Sequence, residues 1–402
     1  MGTYGLYFFA SGYMVCYNLY DGNKSNLEGK SMEKRIFDKL GFETSLLGLG
    51  CMRFPQKDGK IDRAEAEKLV DASIAGGINY FDTAYVYGDG DSENAVRRTL
   101  VERYPRERFY LANKLPMWLL PEGHTPQELL ETSLRRTGVS YFDNYLLHNL
   151  NQENWEICKK ERLVDFILAK KTAGIVRNAG FSFHDAPEVL NEILHAGDWD
   201  FVQLQINYYD WETAQRAREQ YEMVTEHGIP CIIMEPVRGG ALASPHPDVV
   251  SLLRGVAPAA SPASWALRFA GSLPNTAVVL SGMSTMGQVE ENLRLFGDFQ
   301  PLSEAERELL HQAVSLLESL PLIPCTVCNY CKDCPKAVRI SSAFDAYNSC
   351  LRFDKMADLQ QRIQGLHIPD CIECGKCEGH CPQHIAIRSE LKKILACAEA
   401  SV

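Results

Sequence analysis

"LLGLGCMRFPQKDGKIDRAEAE", residues 46–67, is where two fold classes part. It opens as an apolar, strand-like run and ends in a charged amphipathic stretch that predicts a helix. A strand followed by a helix begins either a doubly wound open sheet or a barrel. The open sheet cradles its dinucleotide in a G-x-G-x-x-G turn directly after the first strand. Here "RFPQKDGKIDRAEAE" follows instead, and that turn is absent. The same alternation then continues along the chain. Further strands are predicted at 80–84, 109–115, 141–148, 177–184, 201–207, 231–237 and 276–283, with helical segments between them, several ending at Gly. Eight strand–helix units in about 250 residues predict a (β/α)8 barrel.

The chain has 402 residues, so one large domain plus a small one is expected. Its net charge of −11 argues against a nucleic-acid partner, because phosphate binding needs a basic face. No apolar run reaches the roughly 18–20 residues that span a bilayer, so no membrane partner is expected. The start, "MGTYGLYFFASGYMVCYNLYDG", is aromatic but lacks the basic region of a secretory signal. Regular patterning begins near Met32. The expected organisation is an extension over 1–31, disordered or a misassigned start; a barrel over 32–299; a linker helix within 300–324; and a cysteine-rich domain over 325–402.

Eight of the fourteen cysteines fall in two short groups. Cysteines so close along a loop pair poorly as disulfides and suit metal thiolates. The other six, Cys16, Cys51, Cys158, Cys231, Cys350 and Cys397, are scattered and read as buried or idle thiols. The expected compartment is a reducing cytoplasm.

The second group, "CIECGKCEGHCP", has C-x2-C-x2-C-x3-C-P spacing, the bacterial ferredoxin run. A run of four favours a [4Fe–4S] cluster over zinc, which prefers two separated pairs. The first group, "CTVCNYCKDCP", is one residue shorter in its last gap and predicts a second cluster. In ferredoxins the fourth cysteine of each run serves the other cluster. That logic assigns Cys325, Cys328, Cys331 and Cys381 to one cluster, and Cys371, Cys374, Cys377 and Cys334 to the other. The long insert between the groups, 335–370, predicts helix. Beyond the cysteine groups the sequence shows no internal repeat.

In the barrel, ionisable groups at the C-terminal ends of strands are the ones to examine. Asp82, Lys114 and His148 end the second, third and fourth candidate strands, and Tyr87 lies on the loop after Asp82. Singly, each has an ordinary reading: a helix cap, a snorkelling lysine, a structural histidine. Together they form a proton-delivery set. A phenol near pKa ~10 is a weak acid. A neighbouring ammonium is expected to ease phenolate formation, a carboxylate to hold that ammonium, and an imidazole to polarise a carbonyl.

With these residues in view, "GGINYFDTAYVYGDGDSE", "ANKL", "NYLLHNL", "AGFSFHD", "QLQINYY" and "SGMSTMGQVEENL" together resemble the aldo-keto reductases over roughly 32–298. The cysteine tail makes the chain similar to the subgroup with a C-terminal 4Fe–4S domain. The resemblance implies a barrel that binds NADPH or NADH and moves hydride between a small carbonyl and its alcohol. It implies a tetrad of Tyr87, Asp82, Lys114 and His148. Tyr85 competes as the acid, but the family motif places the acid just before the Gly. Ser182 and Gln205 match the nicotinamide-carboxamide positions, although Phe183 stands where the family often has Asn. Met234 takes the position where many members stack an aromatic ring. Ser281, Gly282, Gln288, Glu291 and Asn292 match the pyrophosphate and adenosine loop. That loop lacks the Lys or Arg that selects a 2′-phosphate, so either nicotinamide is expected, with Arg238 the one candidate to compensate. Two [4Fe–4S] clusters complete the cofactors. Three roles stand open for them: an electron relay, structural staples, or docking of a ferredoxin- or flavodoxin-like partner. The alternative function is a relay or sensor whose barrel binds nicotinamide without turning over a carbonyl.

Overall fold

The computed structural model describes residues 31–213, 215–352 and 355–400. The extension over 1–31 thus lies almost wholly outside the described residues. Eight parallel strands close into a barrel: β1 (Leu47–Gly50), β2 (Tyr80–Asp82), β3 (Tyr110–Leu115), β4 (Phe142–Leu150), β5 (Val176–Phe183), β6 (Phe201–Gln205), β7 (Cys231–Met234) and β8 (Thr276–Ser281). Every neighbour pair is parallel, and β8 closes on β1. All eight coincide with runs expected from sequence.

The helices form where local signals agree. Thr125 and Glu128 make a reciprocal capping box, Pro126 takes the first turn, and Gly138 ends the helix Pro126–Thr137 with a left-handed turn. Thr285 and Gln288 cap Met286–Gly297 in the same way, as do Ser303 and Glu306 for Glu304–Glu318. That last helix, expected as a linker, buries Leu309, Leu310, Ala313 and Leu317 in the same core as the barrel helices. Among the described residues no helix is long and apolar enough to cross a membrane.

The barrel lumen is packed with side chains. Tyr80, Ala112, Leu146, Phe201, Ile232, Val278 and Leu280 share one buried cluster. Two glycines make room for its bulky members. A Cβ on Gly180 would lie 2.5 Å from the Phe201 carbonyl oxygen and 2.7 Å from its ring. One on Gly48 would lie 2.6 Å from Val278 and 3.3 Å from Tyr80. The lumen's polar atoms pair internally, Asn144 Nδ2 donating to the Tyr80 hydroxyl at 2.8 Å and Asn178 Nδ2 to Asn144 Oδ1 at 3.1 Å. An antiparallel hairpin, Lys34–Phe37 with Phe42–Ser45, closes the bottom. It was not expected from sequence. It buries Leu40 in the lumen cluster and stacks Phe42 on Tyr110 at 3.9 Å.

The cysteine tail has its own apolar core, including Ile323, Val338, Phe344, Leu359, Leu366, Ile385, Leu391 and Ile394. Here the structure corrects the sequence reading, because the repeat reaches beyond the cysteines. Val327 and Asn329 flank Cys328 with φ of 56° and 65°; Glu373 and Gly375 flank Cys374 with φ of 54° and 75°. Past the fourth cysteine, Ala337 and His384 both turn left-handed and donate their N–H to the carbonyls of Cys334 and Cys381. A helix then follows in each half, Ile340–Arg352 and Ile387–Ala400. The halves are loop–helix units of one plan. Their side chains differ so much, and their last gap by one residue, that only backbone conformation reveals the duplication. A β-branched Val at positive φ costs roughly 1–3 kcal/mol; the surrounding cysteine loop holds it there.

The tail sits on the C-terminal mouth of the barrel. Gly239, at φ 64°, runs so close beneath the first cysteine loop that a Cβ there would lie 2.2 Å from the Thr326 oxygen. The clash would be with backbone, which has little freedom to give. Gly239→Ala is therefore expected to lower stability by about 2 kcal/mol or more, from overpacking and the left-handed backbone. Urea unfolding and limited proteolysis between barrel and tail check this, and an unchanged midpoint and cleavage pattern would refute it.

Candidate active site at the barrel mouth

One cavity of 290 Å³ opens at the C-terminal end of the strands. The end of β2 supplies Asp82, β3 supplies Lys114 and β4 supplies His148. The parallel strands of a closed barrel bring these groups to one rim, so residues far apart in sequence meet there. Tyr87 reaches the rim from the short helical turn Tyr87–Gly90, where Gly88 and Gly90 both take positive φ.

Lys114 is completely buried, and its Nζ donates to Asp82 Oδ1 at 2.5 Å and to the Thr83 carbonyl at 2.9 Å. Burial pushes the Asp82 carboxyl up and the Lys114 ammonium down from their ordinary values, and each is pulled back by the other's charge. Asp82 Oδ2 is buried with no partner among the described residues. The ammonium lies 4.8 Å from the centre of the Tyr87 ring, and the His148 ring meets that ring edge-on at 5.7 Å. The Tyr87 phenol lines the cavity. Its rival Tyr85 lies beneath the Arg136 guanidinium, 4.3 Å from it, and lines a different cavity.

The electrostatics differ from the sequence expectation in one respect. The Tyr87 phenol is held well above its ordinary value, first by burial and then by the nearby Tyr330, Asp82, Glu235 and Cys51. The Lys114 charge is spent on Asp82, so it does not pull the phenol down. Tyr87 is thereby kept as a protonated donor. His148 is held well below its ordinary value, by burial and then by Lys114 and His184, which keeps it neutral. Its Nε2 lies 3.3 Å from the hydroxyl of Tyr330, while its Nδ1 is buried without a partner among the described residues.

Ser182, Gln205, Met234, Ser281, Gly282, Gln288, Glu291 and Asn292 all line this same cavity. Several have work already. The Ser182 hydroxyl oxygen accepts from the Asn149 N–H at 2.8 Å, and Ser281 Oγ accepts from Asn292 at 3.1 Å. Gln288 Oε1 accepts from the N–H groups of Ser284 and Thr285 as a helix cap. Gln205 Nε2 donates to Asp210 at 2.8 Å, and its amide pairs reciprocally with that of Gln383 at 2.9 and 3.2 Å. Arg238 is corrected: it is buried, bonded to Asp210 at 2.9 Å and laid over Tyr209, and does not line the cavity. A guanidinium tied to a buried carboxylate is not free for a phosphate. Arg53 lines the cavity instead, its side chain packed where a Gly282 Cβ would stand. It follows the first strand, in the stretch whose lack of glycines decided the fold.

Sequence reasoning missed Arg53, Glu235, Gln383 and Tyr330. Glu235 is a cavity carboxyl at φ 54°, its value raised by burial, with Oε2 unpartnered among the described residues. Nothing local marked Tyr330 or Gln383; they sit beside cysteines whose spacing took all the attention.

In the tail, the eight cysteines surround two small cavities. Cys325, Cys328, Cys331 and Cys381 line one. Cys334, Cys371, Cys374 and Cys377 line the other, with Cys331 between them. This is the crossed grouping expected from the ferredoxin run. Among the described residues no three His, Cys, Asp or Glu side chains converge on a single-ion site. Thiols spread around a cavity suit a polynuclear cluster better than one zinc ion. Cys328 also lines the barrel-mouth cavity, so the wall between the two sites is one residue thick there.

Comparison with known proteins agrees with this geometry. The model of the aldo/keto reductase family matches residues 46–314, and that of a 4Fe-4S dicluster domain matches residues 324–386. An aldo-keto reductase from Mycobacterium sp. (strain MCS) is 29% identical over 264 residues, 65% of this chain and 84% of its own. The holo form of an aldo-keto reductase from Bacillus halodurans superposes with a TM-score of 0.59 at 26% identity, covering 70% of this chain and 96% of that one. An aldo/keto reductase from Klebsiella pneumoniae, in complex with NADP and acetate, shares the fold at 21% identity with a TM-score of 0.55, covering 68% and 92%. With its closed barrel, its rim of ionisable groups and a family match over more than half its length, this chain belongs to the aldo/keto reductase family and carries a 4Fe-4S dicluster domain behind the barrel.

Proposed function

We propose that this oxidoreductase interconverts a small aldehyde or ketone and its alcohol, with NADH or NADPH as hydride carrier and Tyr87 as the acid. The observation that carries the reading is the convergence of Tyr87, Lys114, Asp82 and His148 on one cavity. The donor set fits a nicotinamide dinucleotide: Gly240 leaves backbone bare at the cavity, and Arg53 offers a cation beside Gly282. Ser182 and Gln205 would hold the carboxamide, Met234 the ring face, and Ser281, Gly282, Gln288, Glu291 and Asn292 the pyrophosphate and adenosine. Bound there, a dihydronicotinamide supplies hydride to a carbonyl carbon.

The chain's own part is the proton. As the carbonyl oxygen gains charge it becomes far more basic than a phenolate, so even a phenol with a raised pKa transfers its proton downhill. Lys114, pinned by Asp82, sets a fixed ion pair beside the Tyr87 ring and holds the wall of the site in place. Neutral His148 donates a hydrogen bond without competing for the proton. Cys325, Cys328, Cys331 and Cys381 would hold one [4Fe–4S] cluster, and Cys334, Cys371, Cys374 and Cys377 a second, each supplying single electrons. A second reading is favoured by Cys328 lining both cavities: the barrel binds nicotinamide, and the tail passes single electrons to a ferredoxin- or flavodoxin-like partner. Turnover only with an added one-electron acceptor would select it.

Three outcomes are expected. Tyr87→Phe abolishes carbonyl reduction while NADH and NADPH dissociation constants, by fluorescence titration, stay within about tenfold of the unsubstituted protein. Retained turnover removes the proton role, and a preference beyond about 1000-fold in the same titrations removes the either-cofactor reading. With the phenol raised and the imidazole lowered, both groups keep their working state across neutral pH. The profile of kcat/KM for reduction should therefore be level from about pH 6 to about pH 9. An acid limb near pH ~6.5 would mean that His148 titrates in the working range. Anaerobically purified protein should contain about eight iron and eight acid-labile sulfide per chain; about four would leave one cavity without a cluster.

A further inference from the structure

The barrel does not wall its cavity alone. Thr326, Cys328, Tyr330, Pro382 and Gln383 also line it, all from the two cysteine loops. Their placement is held by specific contacts. The Thr326 carbonyl accepts from Arg53 at 3.2 Å and lies over bare Gly239. Gln383 and Gln205 exchange amide hydrogen bonds, and Lys332 is paired with Asp89 on the loop after Tyr87. Trp118 packs against both the His148 and Tyr330 rings, at 5.1 and 6.3 Å.

We propose that Tyr330 is a substrate-binding residue of the reductase site, its hydroxyl giving the carbonyl oxygen a second hydrogen bond beside that of Tyr87. This rests on the carbonyl-reductase reading above and deepens it. The geometry turns on the His148 tautomer. His148 Nδ1 is buried and has no partner among the described residues. Leaving a bare acceptor there costs less than burying an unpaired N–H, so the proton is assigned to Nε2. Nε2–H then donates to the Tyr330 oxygen at 3.3 Å. A phenol that accepts still has its own hydrogen to give, and no described residue takes it. The Tyr87 hydroxyl likewise makes no hydrogen bond to a described residue, and a phenol carries its proton at neutral pH. Two phenolic donors without acceptors face one cavity, which matches the two lone pairs of a carbonyl oxygen. His148 thus acts through Tyr330, as a positioning residue, rather than on the substrate directly. Tyr87 gives up its proton as hydride arrives at carbon; Tyr330 keeps its own.

The test uses the full cluster-loaded protein. Tyr330→Phe keeps the ring and removes only the hydroxyl. Its kcat/KM for a small aldehyde should fall about 10- to 100-fold, as for loss of one hydrogen bond to a charged oxygen. Because His148 is read through Tyr330, adding His148→Gln to Tyr330→Phe should cost less than about threefold more, whereas additive losses overturn the proposal. A readout independent of turnover is benzoate, whose carboxylate mimics the carbonyl oxygen. With NADP⁺ present, its dissociation constant should rise about 3- to 10-fold in Tyr330→Phe at unchanged iron content. Unchanged benzoate binding and unchanged kcat/KM overturn the role of Tyr330 while leaving the reductase reading intact. An unsubstituted protein that reduces no carbonyl and binds no benzoate removes both.

Discussion

A lysine ammonium with no solvent exposure must meet a carboxylate, and the mouth of this barrel is built around that requirement. Stripping a charge of water costs several kcal/mol, which only a close, well-aimed counter-charge returns. Lys114 and Asp82 satisfy it from adjacent strands, β3 and β2, whose register sets Asp82 against Ala112, with Lys114 farther along the same strand. The closed sheet therefore fixes a positive charge beside the Tyr87 ring without any loop having to hold it. Tyr87 and His148 then take their protonation states from the same burial, one kept as a donor and the other kept neutral. The chemistry of the rim follows from the desolvation that closing the barrel imposes.

The tail extends that desolvation. By placing Tyr330, Thr326 and Gln383 over the open side, it makes the cavity a joint product of two modules. The duplicated loop–helix plan explains how so small a module achieves this. Two loops with the same left-handed turns project from two packed helices, and one of them lies against the barrel. The other leaves Ile372 exposed between its cysteines and reaches the cavity only at its end, through Pro382 and Gln383. The two halves share a backbone and differ in their surroundings. The first loop's position there makes the cysteine domain part of the wall of the candidate active site.

Much of this was legible in the residues. The absence of a glycine-rich turn after the first strand separated barrel from open sheet. The spacing of apolar runs located all eight strands, because each strand is buried on both faces and must read as continuously apolar. The rim positions of Asp82, Lys114 and His148 and the crossed cysteine grouping were legible because strand ends and cysteine spacings are local signals; Tyr87 over Tyr85 came from the family resemblance. The hairpin beneath the barrel was not legible, since "KRIF" and "FETS" are short and lie half in solvent. Nor was the fate of Arg238: an arginine in a sequence says nothing of whether Asp210 has already claimed it.

By itself, then, the chain of residues determined the barrel, the rim groups at successive strand ends and the two cysteine cages, since each follows from near-neighbour periodicity. Only the tertiary structure decided that Tyr330 stands against His148, 182 positions apart, that Gln383 occupies Gln205, and that the Tyr87 phenol is raised rather than lowered. Those facts depend on how one module seats on another and on how completely water is excluded between them. No short stretch of sequence encodes either, because docking and desolvation are properties of surfaces that exist only once the chain has folded.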